Sequence, residues 1–258
     1  MSAIDLVQRA VGAGRRRAHP NRVVFHHVPK CGGTSVGRAF RKRFLLSQAT
    51  VLPEATFRAE QTLDPAADAE TLLVRAEALR ERMFLYQLAA GVDCVSAHVR
   101  FSEPAWAAYR DRAKFVTVLR DPVARFVSHY RWSHGRPDGH AHIPEDFEPF
   151  LETPAAHRLG AFYVYFFSGL PADADMTTDA ALARAKANID RFDVVGFLDR
   201  LEDFEAAIRR EVGVRIRIGH ENRASAARPA TDDALARRVE ELTAPDRALF
   251  DHAVATRR

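Results

Sequence analysis

Residues 22–44 read RVVFHHVPKCGGTSVGRAFRKRF, and they predict a strand, a tight glycine loop and a helix. The run of β-branched and aromatic residues from 22 to 28 is typical of a buried strand. Pro29 has no amide donor, and the paired glycines Gly32 and Gly33 permit backbone conformations that other residues avoid. The strand is therefore expected to end near Pro29, where a tight loop begins.

A helix is expected after this loop, because apolar side chains recur at helical spacing over residues 36–44. Thr34 or Ser35 is expected to cap it. Such a loop turns successive backbone N–H groups toward one point, at the positive end of a helix dipole. Lys30 adds a mobile positive charge, so the unit predicts an anion-binding site.

The composition is that of a globular α/β protein. The chain has 258 residues, of which 47% are hydrophobic and 28% charged, and this length is enough to bury one core. We expect a single domain over residues 21–258, preceded by an N-terminal extension over residues 1–20. The extension lacks the segment order of a secretion signal, and no apolar run approaches the roughly 20 residues that span a bilayer.

Cysteine content and net charge restrict the location and the partners. Two cysteines, Cys31 and Cys94, do not suggest a disulfide scaffold, so a cytoplasmic location is expected. A helix N-terminus can lower a thiol pKa, but we interpret Cys31 as a small loop residue. The net charge of +4 suits a small polyanionic ligand. No stripe of aromatic and basic residues is seen, so a nucleic-acid partner is not expected.

Strand and helix patterns alternate along the rest of the chain. Strands are predicted at 92–99, 114–119 and 192–198, with an edge strand at 214–218. Helices are predicted at 66–90, 103–112, from Pro122 onward after an Asp121 cap, at 155–170, 178–189, 201–211, and after a cap at 231–233. Residues 45–65 are interpreted as loop and 132–154 as an irregular excursion. On helix 66–90, one face is expected to carry Leu72, Leu73, Ala76, Leu79, Met83 and Tyr86.

This alternation predicts a mainly parallel sheet flanked by helices. In such sheets ligands lie beyond the carboxyl ends of the strands. Three predicted strand ends carry polar groups, namely residues 30–35, His98 and Arg120. We therefore expect these groups to converge on one site.

The first loop does not match the loop that binds nucleoside triphosphates. That motif needs a lysine after its last glycine and a following hydroxyl for Mg²⁺. Here Lys30 precedes the glycines, and no strand-end aspartate is available for the metal because Asp121 is used as a cap. The loop suits an anion without the usual metal apparatus.

Two motifs resemble those of the sulfotransferases. FHHVPKCGGTS resembles their 5′-phosphosulfate loop, and KFVTVLRDPVARFVSHY resembles their 3′-phosphate motif, with Arg120 and Ser128 eight positions apart. The likeness is greatest to the carbohydrate-type and bacterial branch related to heparan sulfate 2-O-sulfotransferases. VVGFLDRLEDFEAAI, ENRASAARP and LTAPDRALFDHA resemble later blocks of that branch. The resemblance implies a P-loop-like, three-layer α/β fold with a central, mainly parallel sheet.

The resemblance also implies a donor, 3′-phosphoadenosine 5′-phosphosulfate (PAPS), with no metal. Arg120 and Ser128 would hold its 3′-phosphate, and Arg223 lies where a late loop covers the nucleotide in this family. Lys30 would neutralise charge on the bridging oxygen as the S–O bond breaks. The 5′-phosphosulfate would be held by the loop residues Lys30, Cys31, Gly32, Gly33, Thr34 and Ser35.

A histidine at the end of the strand after the first long helix often serves as base in this branch, within a Gly-His pair. His98 matches that position, with Ala97 in place of glycine, and an imidazole near its normal pKa suits the task. Glu103 is the rival base, although it is better placed to begin a helix. The acceptor is expected to be a hydroxyl of a carbohydrate or glycolipid, in a pocket built from residues 45–65, 99–112 and 132–165.

Several alternatives remain open at this point. His134, His140 and His142 match no closed zinc site, so no metal site is expected. Arg125 is expected to be a surface helix charge, or else to border the 3′-phosphate. A nucleotide-dependent phosphotransferase is the first alternative function, and a non-catalytic anion- or glycan-binding module is the second. A basic nucleic-acid binder comes last.

Overall fold

A parallel β-sheet lies at the centre of the structure, a computed structural model that describes residues 22–136, 141–219 and 233–257. The predicted extension at residues 1–20 and the predicted site residue Arg223 lie outside the described residues. The strands are β1 (Arg22–His26), β2 (Gln48–Val51), β3 (Cys94–Ala97), β4 (Ala113–Leu119) and β5 (Val194–Phe197). The sheet order is β2-β3-β1-β4-β5, and every pairing is parallel.

Helices occupy most of the connections between the strands. They are α1 (Gly33–Arg43), α2 (Pro53–Leu63), α3 (Ala69–Ala89), α4 (Glu103–Tyr109), α5 (Pro122–His134), α6 (Phe147–Phe150), α7 (Pro154–Gly160), α8 (Phe162–Phe167), α9 (Asp179–Ile189), α10 (Leu201–Glu211), α11 (Asp233–Leu242) and α12 (Ala244–Thr256). In the described ranges, none of them combines the length and the apolar character that a bilayer crossing requires.

Helices cover both faces of the sheet because side chains alternate along each strand. On one face, Val23 and Phe25 of β1 pack with α1 and α10. On the other face, Val24 belongs to a larger core with residues of α3, α8, α9 and α12. This three-layer α/β arrangement confirms the predicted fold class, and it brings the carboxyl ends of β3, β1 and β4 side by side.

The prediction of loop for residues 45–65 is wrong. The structure places there the short edge strand β2, which pairs with β3, and the helix α2, which begins with Pro53 in its first turn. Proline is favourable at that position because its missing N–H would have no intrahelical partner. A proline can start a helix as well as end one, so Pro53 does not by itself indicate a loop.

Helix α3 was predicted correctly in place but not in orientation. Its buried side chains are Leu72, Ala76, Arg80, Phe84 and Leu88. The predicted core residues Leu73, Met83 and Tyr86 are exposed, Tyr86 to 69%. The helix carries apolar residues on several sides, so periodicity alone did not select the face that meets the sheet.

Two helical predictions need a correction of length. The predicted helix 155–170 is two helices, α7 and α8, separated at Ala161, whose φ is −100° and ψ 30°. Asp246 of α12 caps α8, since its Oδ1 accepts the N–H groups of Tyr163 at 2.7 Å and Val164 at 3.2 Å. The predicted final helix ends at Leu242, and a further helix, α12, follows it.

The predicted edge strand at 214–218 is not a strand in the structure. Val214, Ile216 and Ile218 are buried in the core beside α10, as their alternation predicts, but no described strand pairs with them. The Ile218 N–H instead donates to the Glu205 carboxylate at 2.5 Å. The alternation correctly predicted that alternate side chains are buried, but the predicted pairing with a neighbouring strand is wrong.

Candidate active site

The loop after β1 forms an N–H-rich turn at the start of α1. Lys30 and Gly32 both adopt left-handed backbone conformations, with φ of 67° and 74°. Gly32 is the N-cap of α1, in place of the predicted Thr34 or Ser35, and no side chain of the described residues caps the helix. The first N–H groups of a helix lack intrahelical partners, and the first turn of α1 carries no acidic residue. This helix end is therefore suited to an anion.

Three stacked aromatic rings pack against the loop at the start of α1. The His27 ring lies 5.5 Å from the Phe25 ring and 3.8 Å from the His98 ring, measured between centroids. A Cβ atom at Gly33 would lie 1.8 Å from Cδ2 of His27, so glycine is required where α1 starts. Burial, together with the charge of Arg41, lowers the pKa of His27 to about 4, which keeps this ring neutral at pH 7.

His98 lies at the carboxyl end of β3, one strand over from the loop. Its backbone N–H donates to the Val51 carbonyl at 3.4 Å, and this bond continues the β2–β3 ladder by one residue. The side chain is half-buried, and it lines the same cavity as Lys30. The imidazole is thus held by a strand end on one side and by the His27 ring on the other.

The corner after β4 meets the loop directly. Arg120 follows the last residue of β4, and the Asp121 carboxylate caps α5 by accepting the Ala124 N–H at 2.9 Å, as predicted. The Arg120 Nη1 donates to the Lys30 carbonyl at 3.3 Å. Two polar strand ends that are ninety residues apart in sequence are therefore in contact.

Tyr163 contacts both the loop after β1 and the corner after β4, and the sequence analysis did not identify it. Its hydroxyl donates to the Arg120 carbonyl at 2.6 Å and accepts the Arg120 N–H at 2.9 Å. The Cys31 Sγ lies 3.3 Å from the same oxygen. In the sequence Tyr163 is one of several aromatic residues in a run assigned to the core, so no local signal marks it.

Burial makes Cys31 and Tyr163 structural groups rather than reactive ones. It raises the pKa of the Cys31 thiol to about 11 and raises the pKa of the Tyr163 hydroxyl well above its usual value. Both groups are protonated at pH 7 and available as hydrogen-bond donors. Cys31 is buried behind the loop, and of the loop residues predicted to hold the 5′-phosphosulfate it is the one that does not line the cavity.

Positive charge is concentrated around Trp132 of α5. The Lys30 Nζ lies 5.4 Å from the Trp132 ring centroid, and the Arg136 guanidinium lies 4.6 Å from it. Burial lowers the pKa of Lys30, and the charges of Arg120 and Arg136 lower it further. A negative ligand placed among these groups would relieve their mutual repulsion.

These groups share one cavity of about 2020 Å³. Its lining includes the predicted site residues Lys30, Gly32, Gly33, Thr34, Ser35, His98, Arg120 and Ser128. It also includes residues from the predicted acceptor segments 45–65 and 132–165, but none from 99–112. The arrangement places N–H donors, a lysine, an arginine, a serine and a half-buried imidazole around one cavity.

The other candidate residues are divided between the cavity lining, which includes His142, and positions away from it. Glu103, the rival base, forms an ion pair with Arg191 at 2.5 Å and does not line the cavity. Nδ1 of His134 lies 3.0 Å from the Ile143 carbonyl, and Nδ1 of His142 lies 3.2 Å from that of Ser133. Over the ranges that the structure describes, no group of three or more His, Cys, Asp or Glu is arranged to hold a metal.

The interpretation of Arg125 as a surface charge is wrong, because its side chain is fully buried between α5 and α12. Its Nη2 donates to the Leu159 carbonyl at 2.5 Å and lies 3.4 Å from Asp246 Oδ2. Burial raises the pKa of Asp246 to about 7. Since Asp246 also caps the helix that carries Tyr163, this pair positions the residue that joins the loop to the corner.

Comparison with known proteins adds one match. A family model described as "Sulfotransferase family" matches residues 16–137, a range that contains the loop after β1, His98, the Arg120 corner and Ser128. No curated protein matches the chain.

Proposed function

We propose that the protein transfers the sulfuryl group of PAPS to a hydroxyl of an acceptor. The match of residues 16–137 to the sulfotransferase family model supports sulfuryl transfer in general. The observation that carries the finer proposal is the contact between the two strand ends, where Arg120 Nη1 lies 3.3 Å from the Lys30 carbonyl. A ligand with an anionic group at each end of a nucleoside would engage both.

The donor would be held at its two ends by different elements. The loop N–H groups and the start of α1 would take the 5′-phosphosulfate, since the helix has neither a side-chain cap nor an acid in its first turn. Arg120 and Ser128 would take the 3′-phosphate, because both line the cavity and charge-assisted hydrogen bonds to phosphate are strong. Arg223, which lies outside the described residues, would contact the nucleotide.

In the transfer step, the acceptor oxygen forms a bond to sulfur as the bond from sulfur to the bridging oxygen breaks. Lys30 would stabilise the negative charge that develops on the leaving phosphate. His98 would take the acceptor proton, and 3′,5′-adenosine bisphosphate would leave. Positioning of donor and acceptor in line supplies much of the rate, as it does in phosphoryl transfer.

The acceptor and the location are part of the same proposal. We propose a carbohydrate or glycolipid hydroxyl as acceptor, bound in the part of the cavity beyond His98. Both cysteines are buried and free, which supports a reducing cytoplasm. Residues 21–258 would form one domain, with residues 1–20 as an extension.

The proposal is tested by incubating the protein with PAPS labelled in its sulfuryl group and a panel of glycans, glycolipids and phenols. We expect label in at least one acceptor, and we expect His98→Ala to lower that rate at least about 100-fold while 3′,5′-adenosine bisphosphate still binds. His252→Ala is the matched control, because His252 pairs with Asp190 at the surface and should leave the rate unchanged.

Three results would count against the proposal. In a parallel incubation with ATP, phosphoryl transfer that depends on Mg²⁺ would favour the phosphotransferase. Binding of the bisphosphate without turnover on any acceptor would favour a non-catalytic module. A His98→Ala protein with the wild-type rate would remove the base from the mechanism.

A further inference from the structure

The cavity has two ends that differ in charge. At the donor end, the described lining includes three cations close to one another, Lys30, Arg120 and Arg136. A second part of the lining comes from the hairpin of α2 and α3 and from residues 165–177. We call this second end the hairpin subsite. It begins at His98, whose backbone N–H donates to the carbonyl of Val51, the last residue of β2, just before α2.

Carboxylates outnumber cations in the hairpin subsite. Its described lining includes five acidic residues, Glu54, Glu70, Glu77, Asp173 and Asp175, and two arginines, Arg58 and Arg80. Each arginine already lies within an ion pair, Arg58 with Glu54 at 3.1 Å and Arg80 with Glu77 at 2.6 Å. An anionic acceptor would therefore meet net negative charge here, and like charges at close range are unfavourable.

An apolar surface lies between these carboxylates. Leu73 and Val74 of α3 line the cavity and are 36% and 38% exposed. They share one stripe of the helix with Glu70 and Glu77, at spacings of three, four and seven residues. Phe57 of α2 lines the same wall. Covering exposed aliphatic side chains with an apolar group of a ligand lowers the free energy of the complex.

Residues 165–177 also contribute apolar side chains to the lining, and this wall is held in place. Tyr165, Phe166 and Met176 line it. The Arg100 guanidinium stacks on the Tyr165 ring, 4.1 Å from the centroid, and donates to the Tyr165 carbonyl at 2.9 Å and to that of Leu170 at 2.5 Å. These contacts make the wall preformed, so it can select a ligand by shape and polarity.

We infer that the hairpin subsite takes an uncharged hydroxyl compound with an apolar tail, such as an alkyl or aryl glycoside. The hydroxyl lies at His98 and the tail lies along Leu73 and Val74. Polyanionic polysaccharides are disfavoured by the carboxylates of the same surface. The inference rests on the proposed function for the identity of the reaction, and it adds the chemical class of the acceptor.

Calorimetry with defined probes tests it, with the protein in the presence of 3′,5′-adenosine bisphosphate. The probes are hexyl β-D-glucoside, methyl β-D-glucoside and a heparosan tetrasaccharide that contains glucuronate. We expect the hexyl glycoside to bind at least tenfold more tightly than the methyl glycoside. We expect the tetrasaccharide to bind no more tightly than the methyl glycoside.

Two leucines of the hairpin give a matched pair of variants. Leu73→Ser should weaken hexyl glycoside binding at least fivefold and leave the bisphosphate affinity unchanged. Leu63→Ser is the control, because Leu63 is 79% exposed on the same hairpin but does not line the cavity. It should change neither affinity.

The inference is overturned if the hexyl and methyl glycosides bind equally, if the tetrasaccharide binds more tightly than the hexyl glycoside, or if Leu73→Ser has no effect. Failure of the bisphosphate to bind is a different result, since it contradicts the proposed donor. In that case the same glycoside titrations on the free protein still decide the chemistry of the hairpin subsite.

Discussion

Replacing Lys30 with alanine is expected to lower kcat for sulfuryl transfer by about 100- to 1000-fold. The Lys30 ammonium lies at the donor end of the cavity, over the Trp132 ring at 5.4 Å. The loop itself carries this cation, and its stabilising effect grows as the bridging oxygen gains charge. The affinity for 3′,5′-adenosine bisphosphate should change by less than about tenfold, because the loop N–H groups and Arg120 remain.

The measurement is steady-state kinetics together with bisphosphate calorimetry on the same preparations. Lys42→Ala is the matched control, since Lys42 is an exposed lysine in the last turn of the same helix, α1. It should leave kcat unchanged. A Lys30→Ala protein that keeps more than half of the wild-type kcat would contradict the role assigned to this residue.

Gly33→Ala is expected to have the second large effect, on both stability and donor binding. The new methyl carbon would lie 1.8 Å from Cδ2 of His27. The His27 ring is held between Phe25 and His98, so it cannot move without disturbing the proposed base. We expect a loss of about 1–3 kcal/mol in the free energy of unfolding and at least a tenfold loss of bisphosphate affinity.

Chemical denaturation and calorimetry check this prediction, with Gly37→Ala as the control. Gly37 is also in α1, but a methyl group there would meet the end of the Arg41 side chain at 3.1 Å, which can move. Alanine is also the better helix former, so the stability of Gly37→Ala should be close to that of the wild type. Bisphosphate binding by Gly33→Ala at wild-type affinity would show that the start of α1 is not part of the donor site.

Local sequence signals predicted the two units that carry the site. The strand, glycine loop and helix of residues 22–44 and the strand, corner and helix around Arg120 are each encoded within about 20 consecutive residues. Asp121 and Pro122 mark the start of α5 by short-range chemistry, a side-chain cap and a preset φ. Their meeting at one edge of a parallel sheet then follows from general rules for such sheets.

Contacts between distant segments could not be predicted in the same way. Tyr163 meets Arg120 from α8, whose first turn donates backbone N–H groups to Asp246, 83 residues further on. Arg125 is buried because it meets Asp246, and nothing in its neighbourhood in α5 indicates this. The orientation of α3 is another case, since its several apolar sides left the choice of buried face to the packing of the whole domain.

The central claim is that one ligand spans the Lys30 loop and the Arg120 corner, and calorimetry with 3′,5′-adenosine bisphosphate and 5′-AMP tests it most directly. The two compounds differ only in the 3′-phosphate. We predict that the wild-type protein prefers the bisphosphate at least about tenfold, because a charge-assisted phosphate contact contributes about 1.5–3 kcal/mol, and that Arg120→Ala removes most of this preference. Equal affinities in the wild-type protein, or an undiminished preference in Arg120→Ala, would contradict the claim.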